Sequence, residues 1–218
     1  LGLVSLTVAD KVRNPTAVLG WTCRKILEKD GEAEKTREGI RDVLGESEKL
    51  ESIVRDFELL LKSKQSMYRY EDLNEVVRGI VSVAEKEAQT KGVRFDKNLA
   101  KETLKINSQK HLLRAAIFHL LRNSIEATPE GGAITVTTAA EEDKVLLSIA
   151  DTGAGIPEED IEKIFDPFYS TKRLRFGMGL PLVKQIIAEH LGEIKIESAP
   201  GRGTTFTMSF PVRWSGKG

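Results

Sequence analysis

Two glycine pairs and one carboxylate in the second half of this sequence have the types and spacing needed to bind a phosphorylated ligand. Asp151 directly follows an apolar run and is itself followed by Gly153 and Gly155. Glycines let the backbone approach a planar or phosphorylated ligand closely, and a carboxylate at a strand end accepts a hydrogen bond from an exocyclic amine. Gly177 and Gly179 stand before a predicted helix, where free N–H groups and the helix dipole favour phosphate. Each pair alone is more typical of an ordinary turn, and only their occurrence together indicates a ligand site.

An amide side chain in the middle of an apolar helix adds a further polar group. Asn123 is flanked by Leu120, Leu121 and Ile125. Asparagine is locally unfavourable within a helix, and its amide oxygen is a suitable partner for a hydrated magnesium ion. We therefore expect Asn123 to face a polar ligand.

The elements that must position these residues mix helices and strands from residue 66 onwards. Asp72 with Glu75 forms a capping box that opens a helix running to about Lys91, and Ser108 is expected to cap the helix that carries Asn123. A further helix is predicted near 180–191, and strands are predicted near 93–98, 103–106, 133–139, 145–150, 193–198 and 204–211. Because the order is not a strict βαβ alternation, the pattern predicts an α+β fold with a mixed sheet covered by helices on one face.

The first 65 residues have a helical pattern instead. Apolar residues recur in steps of three and four at Ile40, Val43, Leu50, Val54, Phe57 and Leu61, and a looser stripe runs before a turn at 29–34. This pattern predicts a helical hairpin. A hairpin with one apolar stripe per helix buries both stripes well when two chains form a four-helix bundle. We therefore expect a homodimer; the alternative is that the hairpin packs on its own C-terminal domain.

Composition limits the possible functions of the chain, and the change of pattern along the sequence indicates its domains. The 33 basic and 33 acidic residues balance, so no nucleic-acid-binding surface is indicated. The single cysteine, Cys23, excludes an internal disulfide framework and favours a reducing, cytoplasmic compartment. We expect a hairpin domain at 1–65, a ligand-binding domain at 66–213 and a tail at 214–218, with any membrane attachment of the full-length protein lying upstream.

Five ordered segments of the second domain resemble the motifs of sensor histidine kinases of two-component systems. They correspond to the N box at 123–127, the G1 box at 151–157, the F box at 165–172, the G2 box at 177–180 and the closing Gly-x-Gly-Thr-Thr-Phe at 201–206. The resemblance implies the gyrase, chaperone and kinase type of ATP-binding fold, an α/β sandwich with a mobile lid over the nucleotide.

The same resemblance implies roles for individual residues. Asn123 would hold Mg²⁺, and Asp151 would read the adenine amine of ATP. Thr205 would support the adenine end, Lys172 would meet the γ-phosphate, and His119 is a further candidate. The backbone around the phosphates and the lid would be shaped by Gly153, Gly155, Gly177 and Gly179.

The hairpin resembles the dimerisation and phosphotransfer segment of the same family, with two differences. That segment carries a histidine, an acidic residue, two further residues and Asn-Pro, whereas this chain has Asp10, Lys11, Val12, Arg13, Asn14 and Pro15. Asp10 occupies the acceptor position and Lys11 the position of the base. A carboxylate is a poorer nucleophile than imidazole and its acyl phosphate is labile, so orthodox autophosphorylation is not expected. Asn14 occupies the position that helps align water for response-regulator dephosphorylation.

Three functional hypotheses remain open at this stage. The first is a histidine kinase core that binds Mg–ATP, is degenerate at its acceptor, and regulates a partner kinase or the receiver domain of a response regulator. The second is an active kinase whose acceptor was altered or whose phosphate goes to Asp10. The third is an ATPase or ATP-gated clamp of the same superfamily.

Overall fold

The structure is a computed structural model that describes residues 18–23, 26, 36, 38–45, 47, 50, 67–170 and 177–212. The described residues before 51 are all helical. A Cβ atom on Gly39 would lie 2.7 Å from Cγ1 of Ile26 and 3.7 Å from Cγ2 of Thr22. The two helical stretches therefore pack closely against each other at this glycine, as the predicted hairpin requires.

The second domain contains four helices and seven strands within residues 67–170 and 177–212. The helices are α1 (Leu73–Thr90), α2 (Lys110–Ala127), the short α3 (Glu158–Ile161) and α4 (Gly179–Glu189), with a 3₁₀ turn at Lys163–Phe165. The strands are β1 (Arg69–Asp72), β2 (Arg94–Asn98), β3 (Lys105–Ser108), β4 (Ala133–Ala140), β5 (Lys144–Asp151), β6 (Glu193–Ser198) and β7 (Thr204–Pro211).

The main sheet has five strands in the order β2-β4-β5-β7-β6, and a separate pair is formed by β1 and β3. Only β2 and β4 run parallel in the main sheet, and the other neighbours are antiparallel. Along β5 every second residue is buried, as expected of a sheet covered on one face. The α+β fold with a mixed sheet is therefore confirmed.

Helix α2 lies at the centre of the core, in contact with α1, α4 and β5. Its buried side chains include Leu113, Ile117, Leu120 and Leu121, all with no exposed surface. Because the core encloses most of α2, this helix can present a polar side chain such as an amide only where it borders a cavity or solvent. Within the described residues, no helix is both long and apolar enough to cross a membrane.

The start of α1 is fixed by two buried polar networks. As predicted, Asp72 caps the helix, and its Oδ1 accepts hydrogen bonds from the N–H groups of Asn74 at 3.0 Å and Leu104 at 3.1 Å. The Asn74 amide, only 1% exposed, donates to the carbonyls of Ala100 and Glu102 and accepts from the Thr138 hydroxyl at 2.7 Å. These bonds tie α1 to the loop after β2 and to β4.

The predicted cap of α2 is wrong in position. Ser108 is the last residue of β3, where it pairs with Arg69 of β1, and the helix begins at Lys110. The N–H of Gln109 donates instead to Nε2 of His190 at 2.9 Å, while Nδ1 of that histidine lies 2.7 Å from the Ile186 carbonyl. The imidazole therefore has its proton on Nδ1 and accepts the N–H of Gln109, the residue that precedes α2, a role that a local sequence pattern does not reveal.

Candidate nucleotide site

A cavity of about 330 Å³ lies where α2, the loop after β5, the start of α4 and the start of β7 meet. This volume falls within the usual range for a small-molecule site. Its walls include His119, Asn123, Ser124, Asp151, Gly155, Ile156, Asp160, Ile164, Tyr169, Gly177, Met178, Gly179, Thr204 and Phe206. The cavity thus brings together Asn123, Asp151, Gly155, Gly177 and Gly179, which belong to three separate sequence motifs.

Asp151 lines the cavity and is held in place by hydrogen bonds. Only 7% of its surface is exposed, and its Oδ1 accepts hydrogen bonds from the N–H groups of Gly153 at 2.9 Å and Thr204 at 3.2 Å. These two hydrogen bonds fix the orientation of the carboxylate. A carboxylate held at the end of a strand is a suitable hydrogen-bond acceptor for the exocyclic amine of a nucleotide base.

The loop after Asp151 is shaped by backbone contacts that leave no room for side chains. Gly155 has a φ of +71°, and a Cβ there would lie 1.9 Å from the carbonyl oxygen of Ala199. The N–H of Gly201 donates to the Ala154 carbonyl at 2.8 Å. Only glycine fits at this position, because another residue would meet backbone atoms and adopt an unfavourable left-handed conformation.

Another part of the cavity wall is the N-terminus of α4. Gly177 and Gly179 line it together with the next residues of the helix, Leu180 and Pro181. Gly177 has a φ of +72°, and its carbonyl accepts a hydrogen bond from the N–H of Phe168 at 3.0 Å. The N–H groups of Gly179 and Leu180 have no acceptor within the helix, and together with the helix dipole they favour an anion. The cavity wall therefore contains both a hydrogen-bond acceptor for a nucleotide base and a helix N-terminus suited to phosphate.

One face of α2 supplies polar groups to the side wall. His119 and Asn123 lie one turn apart on this face, and His119 Nδ1 would be 3.3 Å from a Cβ on Gly179. The Ser124 hydroxyl is buried and has no hydrogen-bond partner among the described residues. The amide oxygen of Asn123 fits Mg²⁺, a hard cation that takes oxygen ligands and usually few of them from protein.

A short hydrogen bond closes another part of the wall. The hydroxyl of Tyr169 donates to Oδ1 of Asp160 at 2.5 Å. This bond, followed by partial burial and the nearby charges of Asp160 and Glu159, raises the pKa of Tyr169 above its usual value of 10.0. The hydroxyl is therefore a permanent donor at neutral pH.

Several sequence-predicted site residues lie elsewhere. Thr204, not Thr205, lines the cavity, because neighbouring strand residues point to opposite faces and Phe206 shares the cavity face with Thr204. Gly153 packs behind Asp151, where a Cβ would lie 2.8 Å from the carbonyl of Ala127. Asp10, Lys11, Asn14 and Lys172 fall outside the described residues.

The cavity wall also contains three residues that were not predicted from the sequence: Asp160, Tyr169 and Ser124. Asp160 follows the G1-like segment by three residues, and Tyr169 lies within the F-box-like segment. Ser124 directly follows Asn123 and is polar within an apolar helix. Polarity in an apolar context was the usable signal for Ser124, whereas the pairing of Asp160 with Tyr169 depends on a turn that only the folded chain shows.

Comparison with known proteins agrees with this site. Residues 108–213 match the family model of the histidine kinase-, DNA gyrase B- and HSP90-like ATPase. Sporulation kinase C of Bacillus subtilis (strain 168) is 32% identical over 209 residues, which are 94% of this chain and 48% of that protein. The chain spans about half or less of the length of the curated relatives it matches.

Solved structures give the same family. The catalytic domain of the histidine kinase ThkA is 30% identical, with a TM-score of 0.62 over 67% of this chain and 96% of that one. ThkA in complex with the response regulator protein TrrA is 27% identical, with a TM-score of 0.77 over 98% of this chain and 62% of that one. The ordered motifs, the cavity that unites them and these matches together establish that the chain belongs to the histidine kinase family.

Proposed function

We propose that this chain is the core of a sensor histidine kinase that binds Mg–ATP in the cavity between Asp151 and α4 and signals in a two-component system. The observation that carries the proposal is the presence of two different kinds of binding group in the cavity wall. A buried carboxylate lies in one part of the wall, and glycines at the N-terminus of an 11-residue helix lie in another part. Adenine and triphosphate have the matching chemistries.

Each group in the cavity has a separate task in this proposal. Asp151 accepts a hydrogen bond from the adenine amine, and the two backbone N–H groups that hold its Oδ1 orient it. Asn123 holds Mg²⁺, which when bound neutralises charge on the phosphates. The start of α4 binds phosphate oxygens through its free N–H groups.

The acceptor position limits what the bound ATP does. Asp10 and Lys11 replace the nucleophile and the base of the family's phosphotransfer segment. Phosphoryl transfer depends mainly on positioning, and a carboxylate gives a labile acyl phosphate. The chain acts as an ATP-responsive homodimer that regulates a partner kinase or a response-regulator receiver domain, with its hairpin and ATP-binding domains dividing near residue 66.

Calorimetric titration with Mg–ATP tests the binding step. The unaltered chain is expected to bind, and Asp151→Asn is expected to weaken binding by roughly tenfold or more, because the variant loses an ionic acceptor. Asp166→Asn, at an exposed position outside the cavity wall, serves as the matched control. Equal affinities for the unaltered chain and Asp151→Asn would remove Asp151 from adenine recognition.

A further inference from the structure

Asp160 and Tyr169 form a polar part of the cavity wall that adenine and phosphate recognition does not use. Both side chains line the cavity, and the Tyr169 hydroxyl donates to Asp160 Oδ1 at 2.5 Å. A carboxylate accepts hydrogen bonds on both oxygens. The second oxygen of Asp160 has no partner within residues 67–170 and 177–212.

The pair joins two segments of the cavity wall. Asp160 belongs to α3, which follows the loop that begins at Asp151. Tyr169 borders Gly177, since a Cβ on that glycine would lie 2.5 Å from the Tyr169 carbonyl oxygen. The hydrogen bond between Asp160 and Tyr169 therefore joins the segment that follows Asp151 to the segment beside α4. The sugar connects the base to the phosphates, so a nucleotide bound by Asp151 and the start of α4 has its sugar in the region between these segments.

Charge selects the sugar as the partner of this carboxylate. An acidic group on the wall repels a triphosphate, so it offers nothing favourable to the phosphates. The 2′- and 3′-hydroxyls of ribose are neutral donors, and carboxylates fulfil this acceptor role in other nucleotide-binding folds. Tyr169 occupies one oxygen and fixes the rotation of the carboxylate, which leaves the other oxygen for a hydroxyl of the ligand.

We propose that Asp160, oriented by Tyr169, accepts a hydrogen bond from the 2′- or 3′-hydroxyl of ribose and makes the site selective for nucleotides that carry that hydroxyl. This inference rests on the proposed ATP site and deepens it. Asp160 contacts the sugar directly, whereas Tyr169 is a positioning residue that acts through Asp160.

The test compares the affinities of Mg–ATP, Mg–2′-deoxy-ATP and Mg–3′-deoxy-ATP for the full chain by calorimetry. The unaltered chain is expected to bind ATP roughly two- to tenfold more tightly than at least one deoxynucleotide, the range of one net hydrogen bond. Asp160→Ala is expected to bind ATP and the deoxynucleotides with equal affinity. Tyr169→Phe is expected to show a smaller preference for ATP than the unaltered chain. Asp160→Asn, which keeps the shape of the side chain, guards against misfolding of the alanine variant and is also expected to lower the ratio.

Glu159→Gln is the matched control, because Glu159 is an exposed neighbour on α3 that is absent from the cavity wall, and it is expected to keep the ratio. Equal binding of all three nucleotides by the unaltered chain would overturn the proposal. An equal loss of affinity for all three nucleotides in Asp160→Ala, with the ratio preserved, would also overturn it. Such a loss is expected of a residue that supports the cavity wall without contacting the sugar. Failure to bind any nucleotide would instead overturn the ATP site itself.

Discussion

The carboxylate of Asp151 and the backbone N–H of Thr204 are joined by a 3.2 Å hydrogen bond at the end of the ladder between β5 and β7. The Thr204 hydroxyl in turn lies 2.9 Å from the Ser198 hydroxyl on β6. Three neighbouring strands are thus linked at the base-binding end of the cavity. A wall built from paired strands holds its polar groups in place before the nucleotide arrives, which reduces the ordering cost of binding.

The position of Thr204 predicts different effects for two adjacent threonines. Thr204→Val removes a hydroxyl from the cavity wall and is expected to weaken Mg–ATP binding roughly two- to tenfold. Thr205→Val alters the opposite face of the same strand and is expected to leave the affinity unchanged. Calorimetry on both variants measures this, and a larger loss in Thr205→Val would restore Thr205 as the adenine-side residue.

The buried amide of Asn74 is expected to matter for stability. Asn74→Ala leaves the carbonyls of Ala100 and Glu102 without their donor, and an unsatisfied buried polar group costs about 1–3 kcal/mol. Urea denaturation is expected to show a loss of this size in the free energy of unfolding. Asn98→Ala, at an exposed position on β2, is the control and should change the free energy little. Equal losses in both variants would show that the network contributes nothing.

His190 predicts a pH dependence of stability. Burial lowers the pKa of His190 below its usual value of 6.5, against the opposing effects of the hydrogen bond to the Ile186 carbonyl and of the nearby charge of Glu189. As pH falls, the His190 imidazole therefore takes up a proton in the unfolded chain at a higher pH than in the folded chain. The free energy of unfolding is unaffected by this group above the ordinary pKa and decreases as pH falls from the ordinary pKa towards the lowered pKa of the folded chain. Protonation would also remove the acceptor of the Gln109 N–H.

The measurement is the free energy of unfolding between pH 5 and pH 8 for the unaltered chain, His190→Gln and His111→Gln. The decline towards low pH is expected to shrink in His190→Gln and to persist in His111→Gln, whose histidine is exposed. A decline that is the same in all three proteins would assign it to other groups.

Exposed apolar residues on the hairpin predict the oligomeric state. Trp21 and Leu44 are 58% and 57% exposed in the single chain, which suits a face that a second copy covers. Light scattering is expected to give twice the 24.2 kDa mass of one chain, and Trp21→Glu with Leu44→Glu is expected to give a monomer. Val83→Glu, at a residue 53% exposed on α1, should remain dimeric. A monomeric unaltered chain at micromolar concentration would contradict the bundle.

Local patterns were sufficient for most of the fold, while contacts distant in sequence were not. The bounds of β6 and β7 follow directly from their alternation, and Asp72 was identifiable as a cap from its spacing to Glu75. The cap at Ser108 failed because His190, 81 residues from Gln109, supplies the partner. Strand β1 was missed because it is short and has mostly polar residues, so its pairing with β3 leaves no apolar periodicity.

The site shows the same division between local and long-range information. The motif residues Asn123 and Asp151 were identifiable because an amide or carboxylate in an apolar context is locally unfavourable. The choice between Thr204 and Thr205 required the side-chain parity of β7, which depends on where the strand meets the cavity. The bond between Asp160 and Tyr169 depends on a chain reversal that no spacing rule gives.

Incubation with γ-labelled ATP tests the central claim most directly, using the unaltered chain, Asp10→His, and Asp10→His combined with Lys11→Glu. A chain that binds ATP but lacks its histidine acceptor is expected to carry no stable label. The single variant should gain a label, and the double variant should gain more because it also restores an acidic base. Stable label on the unaltered chain that Asp10→Asn abolishes would contradict the account, as would the absence of label from all three proteins.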